Sequence, residues 1–242
     1  MIRPRWLKRV LTAILLFTLL VIVSCKTGIT RDTEQTTAIT QHAKKTDEKP
    51  TIVYGELVIK EESDYILIPV RLSKDKNQTR TNLLESSLSY ERQDLFSNLI
   101  FYRKQDGETH LLLNKPALLS SFDFLEKKEQ GKPPTRYWLY KIIENDTNAD
   151  KKLTLEDATI GYLSDLSGKN IQQITPNNTQ LISWTVVQSM GAILAKIIKD
   201  SDNDQKFTER DETAFIQVNL SKPAIGTEII SEQIKQQLQS IN

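Results

Sequence analysis

One cysteine, two histidines and eight glycines in 242 residues leave little material for several common chemistries. A single thiol forms no intramolecular disulfide and builds no thiolate metal cluster. No GxSxG elbow, P-loop or HExxH stretch occurs. His42 sits in a polar stretch and reads as solvated, while His110, in an apolar run beside Leu111, reads as structural. Long apolar runs are equally scarce: one exists, at residues 10–23, which excludes a polytopic membrane protein. Charge of one sign is missing too. Lys and Arg number 32 against 31 Asp and Glu, without the basic excess that marks nucleic-acid binders. What remains is 38% hydrophobic residues, enough for a packed core and too many for a wholly disordered chain. The length fits one folded domain, or two small ones, with tails.

The N-terminal run has the order of a secretory signal. Arg3, Arg5, Lys8 and Arg9 precede it, and its 14 residues fall short of the roughly 20 that span a bilayer as a helix. It ends in Ile22-Val23-Ser24-Cys25, which resembles the bacterial lipobox. That resemblance implies a signal peptide over 1–24, acylation of Cys25 and attachment to a membrane through the lipid. Two or three acyl chains anchor firmly, since each buried CH₂ contributes about 0.8 kcal/mol and one chain alone is marginal. Lys26 and Thr27 follow, without aspartate at the second mature position, which by resemblance to enterobacterial lipoproteins favours the outer membrane. Loss of four basic residues with the signal changes the formal charge from +1 to −3. Residues 26–50 hold seven threonines, charges of both signs and no visible period, so 25–50 reads as the lipidated cysteine and a flexible tether. Its mean reach is about 25–30 Å.

From residue 51 to 242 the pattern is β. Apolar and β-branched runs at 52–59, 65–72, 99–103, 109–113, 137–143, 181–187 and 192–198 are split by turn residues such as Asp106-Gly107. Residues 73–82 read as a polar loop, and 228–241 as a short C-terminal helix. A repeat organises the second half, over 138–170 and 192–224. A shift of 54 places Ile143 on Ile197, Asp146 on Asp200, Thr154 on Thr208, Asp157 on Asp211, and Leu166-Ser167 on Leu220-Ser221. Each unit reads strand, acidic loop, strand, turn, strand. Residues 99–113 look like the last hairpin of an earlier unit. Three units of four antiparallel strands suggest propeller-like or sandwich-like sheets, and sequence leaves that choice open. Asp165-Leu166-Ser167-Gly168 followed by Ile174-Thr175-Pro176 resembles the TolB-type propeller repeat, in which an aspartate-glycine turn joins two strands. The match spans about a dozen residues of one unit; Lys222 stands at the glycine position of the next.

The acidic loops carry the chemistry. Asp146, Asn148, Asp150, Lys152, Thr154 and Asp157 occupy positions 1, 3, 5, 7, 9 and 12 of one; Asp200, Asp202, Asp204, Lys206, Thr208 and Asp211 occupy those of the other. This is the ligand spacing of the EF-hand calcium loop, in which alternate residues of a curled loop turn oxygens inward and position 7 supplies a main-chain carbonyl. Seven of the chain's 15 aspartates fall on the eight positions 1, 3, 5 and 12. An ordinary solvated hairpin loop gives no reason for that match to recur in phase with a repeat. Both loops depart from the EF-hand at position 6, where Lys151 and Gln205 replace glycine and would need positive φ. Position 12 is aspartate rather than glutamate, as in dockerin-type loops. Apolar Leu153 and Phe207 at position 8 are expected to pin the loops to the core. The flanks read as strands, so a calmodulin-style opening is not implied.

The expectation is a mainly β, lipid-anchored protein of the cell envelope, on the periplasmic or surface face. It would bind two calcium ions weakly and act as a binding or scaffolding module toward an unidentified envelope protein or glycan. A hydrolase with an acidic site and a calcium-dependent adhesion protein are the alternatives. The resemblance as a whole is to uncharacterised bacterial lipoproteins with EF-hand-like and TolB-like repeats.

Overall fold

A computed structural model describes residues 49–73 and 95–241. The signal region, Cys25, His42 and all but the first residue of the 73–82 loop lie outside these. The described chain forms thirteen strands in three antiparallel sheets, with one 3₁₀ turn at Gln188–Met190 and one α-helix. The first contains β1 (Thr51–Tyr54), β2 (Val58–Ile59), β3 (Tyr65–Ser73), β4 (Asn98–Arg103) and β5 (Thr109–Leu111), in the order β1-β3-β4-β5 with β2 also on β3. The second is the meander β6 (Leu118–Lys127), β7 (Thr135–Ile143), β8 (Ile160–Ser164) and β9 (Gln172–Gln173). The third is the meander β10 (Thr179–Val187), β11 (Ala192–Lys199), β12 (Thr213–Asn219) and β13 (Thr227–Glu228). None of these sheets closes into a barrel.

Strand β7 explains how the sheets stack. Trp138, Tyr140 and Ile142 alternate into a cluster with Leu67, Leu99 and Phe101 of the first sheet. Leu139, from the opposite side of the same strand, joins Ile193, Ala195 and Ile197 of the third. Lys141 shares that second face, where its ammonium donates to the Ile182 carbonyl at 2.8 Å and lies 5.3 Å over the Trp184 ring. The middle sheet is therefore covered on both faces. This is why 137–143 is almost continuously apolar rather than alternating. Burying each such large side chain stabilises the fold by roughly 1.5–3 kcal/mol.

The stacking repeats in one sense. Ile142 pairs with Ile160, and Ile197 with Ala214. Residues 160 and 214 are 54 apart, but 142 and 197 are 55 apart, so the structural equivalent of Ile197 is Ile142 and not Ile143 as the sequence shift proposed. Strand β7 carries one extra residue before its acidic loop. With that register, Trp138, Tyr140 and Ile142 face the first sheet just as Ile193, Ala195 and Ile197 face the second. The turns after β8 and β12 follow suit. Each puts a leucine into the preceding cluster, and each leucine carbonyl accepts a hydrogen bond from the preceding unit: Leu166 from the Ser63 hydroxyl in the turn before β3 (3.4 Å), Leu220 from the Tyr137 hydroxyl of β7 (2.7 Å). Gly168 is required at its position. Its φ is 74°, and a Cβ there would lie 2.4 Å from the Phe101 ring. His110 fastens the same turn, with Nε2 donating to the Ser167 carbonyl at 2.7 Å and its ring stacked on Phe101 at 5.4 Å. Lys222, at the equivalent of Gly168, is exposed.

The helix α1 (Glu232–Ser240) starts later than the expected 228, because Thr227–Glu228 is spent pairing with β12. Ser231 caps it by accepting from the Ile234 amide at 3.4 Å. No helix among the described residues is long and apolar enough to cross a membrane.

Candidate metal centre

Both acidic loops join the second strand of a sheet to the third: 144–159 links β7 to β8, and 200–212 links β11 to β12. They lie at the same end of the stack. The Leu181 amide donates to the Thr159 carbonyl at the close of the first loop, and Leu181 pairs with Ile197, three residues before the second.

The two backbones curl alike. Ala149 and Asn203 at position 4 have φ of 61° and 59°, and Lys151 and Gln205 at position 6 have 68° and 66°. Side-chain oxygens drive the curl by accepting from amides two to five residues on, the local competition that Asp and Asn offer to regular structure. The Asp150 amide donates to Asn148 Oδ1 at 3.0 Å, and the Asp204 amide to Asp202 Oδ1 at 3.1 Å. Lys152 and Lys206 amides donate to the position 5 aspartates at 2.8 and 2.9 Å. The amides of Lys151 and Gln205 reach back to Asp146 Oδ2 at 2.7 Å and Asp200 Oδ2 at 3.3 Å.

Position 12 plays another part than the EF-hand pattern assigns it. Asp157 is fully buried, and its two oxygens accept from the Thr147 amide and the Thr154 amide, each at 2.8 Å. Asp211 does the same with Ser201 (3.0 Å) and Thr208 (2.8 Å). Those amides hold the Asp211 carboxyl below the usual carboxylate range. Each aspartate thus clasps position 2 to position 9 and closes the loop. Aspartate has one methylene less than glutamate, and its carboxylate stays at the base of the loop. Thr154 and Thr208 cap the turn leading into the clasp, accepting at Oγ1 from the Glu156 and Arg210 amides, both at 3.2 Å. Leu153 and Phe207 are half-buried and belong to neither core cluster, so the clasp, rather than position 8, ties the loops down.

Two residues escaped the sequence reading. Thr147 and Ser201, at position 2, donate from their hydroxyls to the clasp carboxylate (3.3 and 3.1 Å) and accept from the amides of Ala158 and Glu212 (2.9 and 3.1 Å). The same 54-residue shift aligns them, and a shared hydroxyl was the available signal. Beside the first loop, Glu144 accepts from the Tyr162 hydroxyl at 2.6 Å and pairs with Lys115 at 2.5 Å. Burial pushes the Glu144 carboxyl up, but Lys115 and Tyr162 together outweigh it and hold the group below its ordinary value.

The donors differ between loops. Asp200, Asp202 and Asp204 each present a carboxylate oxygen within 4.8 Å of the other two. Asp200 Oδ1 is buried and has no hydrogen-bond partner. In the first loop, Asn148 replaces the middle carboxylate, and both Asp146 oxygens accept amides, Oδ1 from Asp150 at 3.1 Å. A buried acceptor left bare costs free energy unless a donor or a cation meets it. Asp200 and its two neighbouring carboxylates are hard donors that suit Ca²⁺, which takes six to eight oxygens; Mg²⁺ demands stricter octahedral geometry and keeps more of its water. Asp200, Asp202 and Asp204 are therefore the side chains that would hold a calcium ion; in the first loop the corresponding positions are Asp146, Asn148 and Asp150.

No protein-family model, curated protein or solved structure matches this chain.

Proposed function

We propose that the protein is a lipid-anchored component of the bacterial cell envelope that binds Ca²⁺ in its two inter-strand loops and serves as a binding or scaffolding module. The bare, buried Asp200 Oδ1 inside a three-carboxylate group carries the metal reading. The recurrence of the same loop backbone 54 residues away supports a second, weaker site. Asp157 and Asp211 we assign to holding the loops closed rather than to ligation. The main-chain carbonyls of Lys152 and Lys206 are the position 7 donors of the EF-hand pattern. A cation bound there neutralises mutually repelling carboxylates and locks two adjacent inter-strand connections at one end of the stack. Few protein donors per site favour a Kd in the high-micromolar to millimolar range of extracellular modules.

The anchor rests on Ile22 to Cys25 and the basic, apolar segment before them. Calorimetric titration of the chain with Ca²⁺ tests the metal: saturable binding is expected, and its absence at millimolar Ca²⁺ returns the loops to solvated hairpins. Incorporation of labelled palmitate, lost in Cys25→Ser, tests the anchor independently.

A further inference from the structure

The C-terminal helix α1 is joined to the third sheet by charge rather than by packing. None of its residues is buried, and its nine residues fall short of the roughly 12–15 that an isolated helix needs in water. Among the described residues, both ion pairs from α1 to the third sheet and its loop end on one atom, Lys235 Nζ. It meets Glu212 Oε1 at 2.7 Å and Glu228 Oε2 at 3.1 Å. Glu232, one turn back in the helix, adds a third oxygen at 2.7 Å. Lys199 completes the network, with Nζ 2.6 Å from Glu228 and 3.3 Å from Glu212. Lys235 holds the Glu212 carboxyl below its ordinary range, and Lys199 does the same for Glu228. Exposed pairs of this kind each add little stability and weaken in salt. A helix held this way is easily released.

Two members of the network flank the second acidic loop. Lys199 directly precedes Asp200, and Glu212 directly follows Asp211. Their backbones close the loop: the Lys199 amide donates to the Glu212 carbonyl at 2.9 Å, and the Glu212 amide donates to Ser201 Oγ at 3.1 Å. The Ser201 hydroxyl in turn donates to the clasp carboxylate of Asp211. In the first loop Asn145 and the buried Ala158 stand at the corresponding places, and neither forms ion pairs. The loop with the bare oxygen is thus also the one wired to the helix.

We infer that α1 is a calcium-controlled latch, docked on the third sheet when the second loop holds Ca²⁺ and released when that loop is empty. The inference rests on the calcium reading of the loop. Without a cation, the carboxylates of Asp200, Asp202 and Asp204 repel one another and loosen the strand ends that carry Lys199 and Glu212. Lys235 then loses the frame that positions its partners, and a helix this short unwinds. The sign of the charge agrees: two lysines face three glutamates, so a nearby cation offsets the surplus rather than opposing it. Coupling is reciprocal, so the docked helix must also tighten the second site.

Hydrogen exchange of the full chain, read by mass spectrometry beside calorimetric titration with Ca²⁺ alone, tests this. The amides of 235–240 should exchange at least about tenfold faster in chelator than in saturating Ca²⁺. Lys235→Met should remove that difference and leave Ca²⁺ binding saturable, and Asp146→Ala, in the first loop, should leave the difference intact. Saturable binding heat with unchanged exchange at 235–240 overturns the latch and spares the calcium site. So does a Lys235→Met chain whose helix still responds. Absence of binding heat at millimolar Ca²⁺ removes the site and the latch together.

Discussion

The two acidic loops have one backbone and two chemistries. Both turn through positive φ at positions 4 and 6, and both are clasped by a buried aspartate. The first satisfies itself: Asn148 removes one charge, and both Asp146 oxygens accept amides. The second leaves three carboxylates within 4.8 Å and one buried oxygen bare. A shared backbone shows that loop shape is set by the clasp and the aspartate-amide turns. Dependence on a cation is set by what oxygen is left over. The second loop should thus respond to calcium more than the first.

Removing the clasp should do most damage. Asp157→Ala strands the amides of Thr147 and Thr154 beside buried structure, at a cost of about 2–4 kcal/mol that a denaturant melt would register. It should do so with or without Ca²⁺, because the clasp is structural. A variant as stable as wild type would return Asp157 to the ligand set. Its counterpart Asp211 adds a pH signature. Its folded carboxyl is held below the ordinary value near 3.9, so its contribution is full above that pH and is lost as pH falls further. Asp211→Asn should flatten that acid limb of the stability profile.

Calcium itself comes next. At a Ca²⁺ concentration a hundredfold above the Kd of the second loop, that site should raise stability by about 2.7 kcal/mol and the weaker first site by less, and a melting scan would shift by about 2–4 °C per kcal/mol. Asp200→Ala should abolish the larger part of the shift and Asp146→Ala the smaller; the double variant should not respond. Equal losses from the two single variants would contradict the contrast between loops. Chelator should reverse the shift, and Mg²⁺ at equal concentration should reproduce little of it.

What sequence revealed and what it hid can be traced to range. The loop spacing is local, so the positions that meet at Asp200, Asp202 and Asp204 were visible as a pattern. The clasp was not, because the role of Asp157 depends on where the amides of residues 147 and 154 point after folding. Strands with a clean phase, such as β3 and β11, were readable. Strand β6 went unread: its register shifts between Leu119 and Ser121, and the bulge breaks the alternation that would have announced it. Strands β9 and β13 have two residues each, too few to show any period. The three units were legible as units. Their stacking in one sense was not, since it turns on a single extra residue at the end of β7.

Exchanging position 3 should convert one loop toward the other. Asn148→Asp adds a carboxylate beside Asp146 and Asp150, where each like-charge pair costs on the order of 1 kcal/mol in largely aqueous surroundings. Without Ca²⁺ the variant should melt lower than wild type, and with saturating Ca²⁺ the deficit should vanish or reverse. Asp202→Asn should do the opposite in the second loop. If neither exchange changes the calcium increment, charge count is not what separates the loops.

The smallest effect concerns the shared backbone. Gln205 holds φ of 66° at the position where EF-hand loops carry glycine. A residue with a Cβ costs roughly 1–2 kcal/mol there, because the Cβ crowds the following carbonyl. Glycine removes that strain but widens the unfolded ensemble, which takes back roughly 0.4–1 kcal/mol. Gln205→Gly should therefore stabilise the chain by about 0.5–1 kcal/mol, and Lys151→Gly by a similar amount, since its φ of 68° is nearly the same. The increments should be equal without calcium, because strain depends on the backbone the loops have in common. With calcium, Gln205→Gly should also tighten the second site more than Lys151→Gly tightens the first, since relief of strain reaches the metal only where an oxygen is free to meet it. Unequal increments in chelator would mean that the two backbones are not the same loop after all.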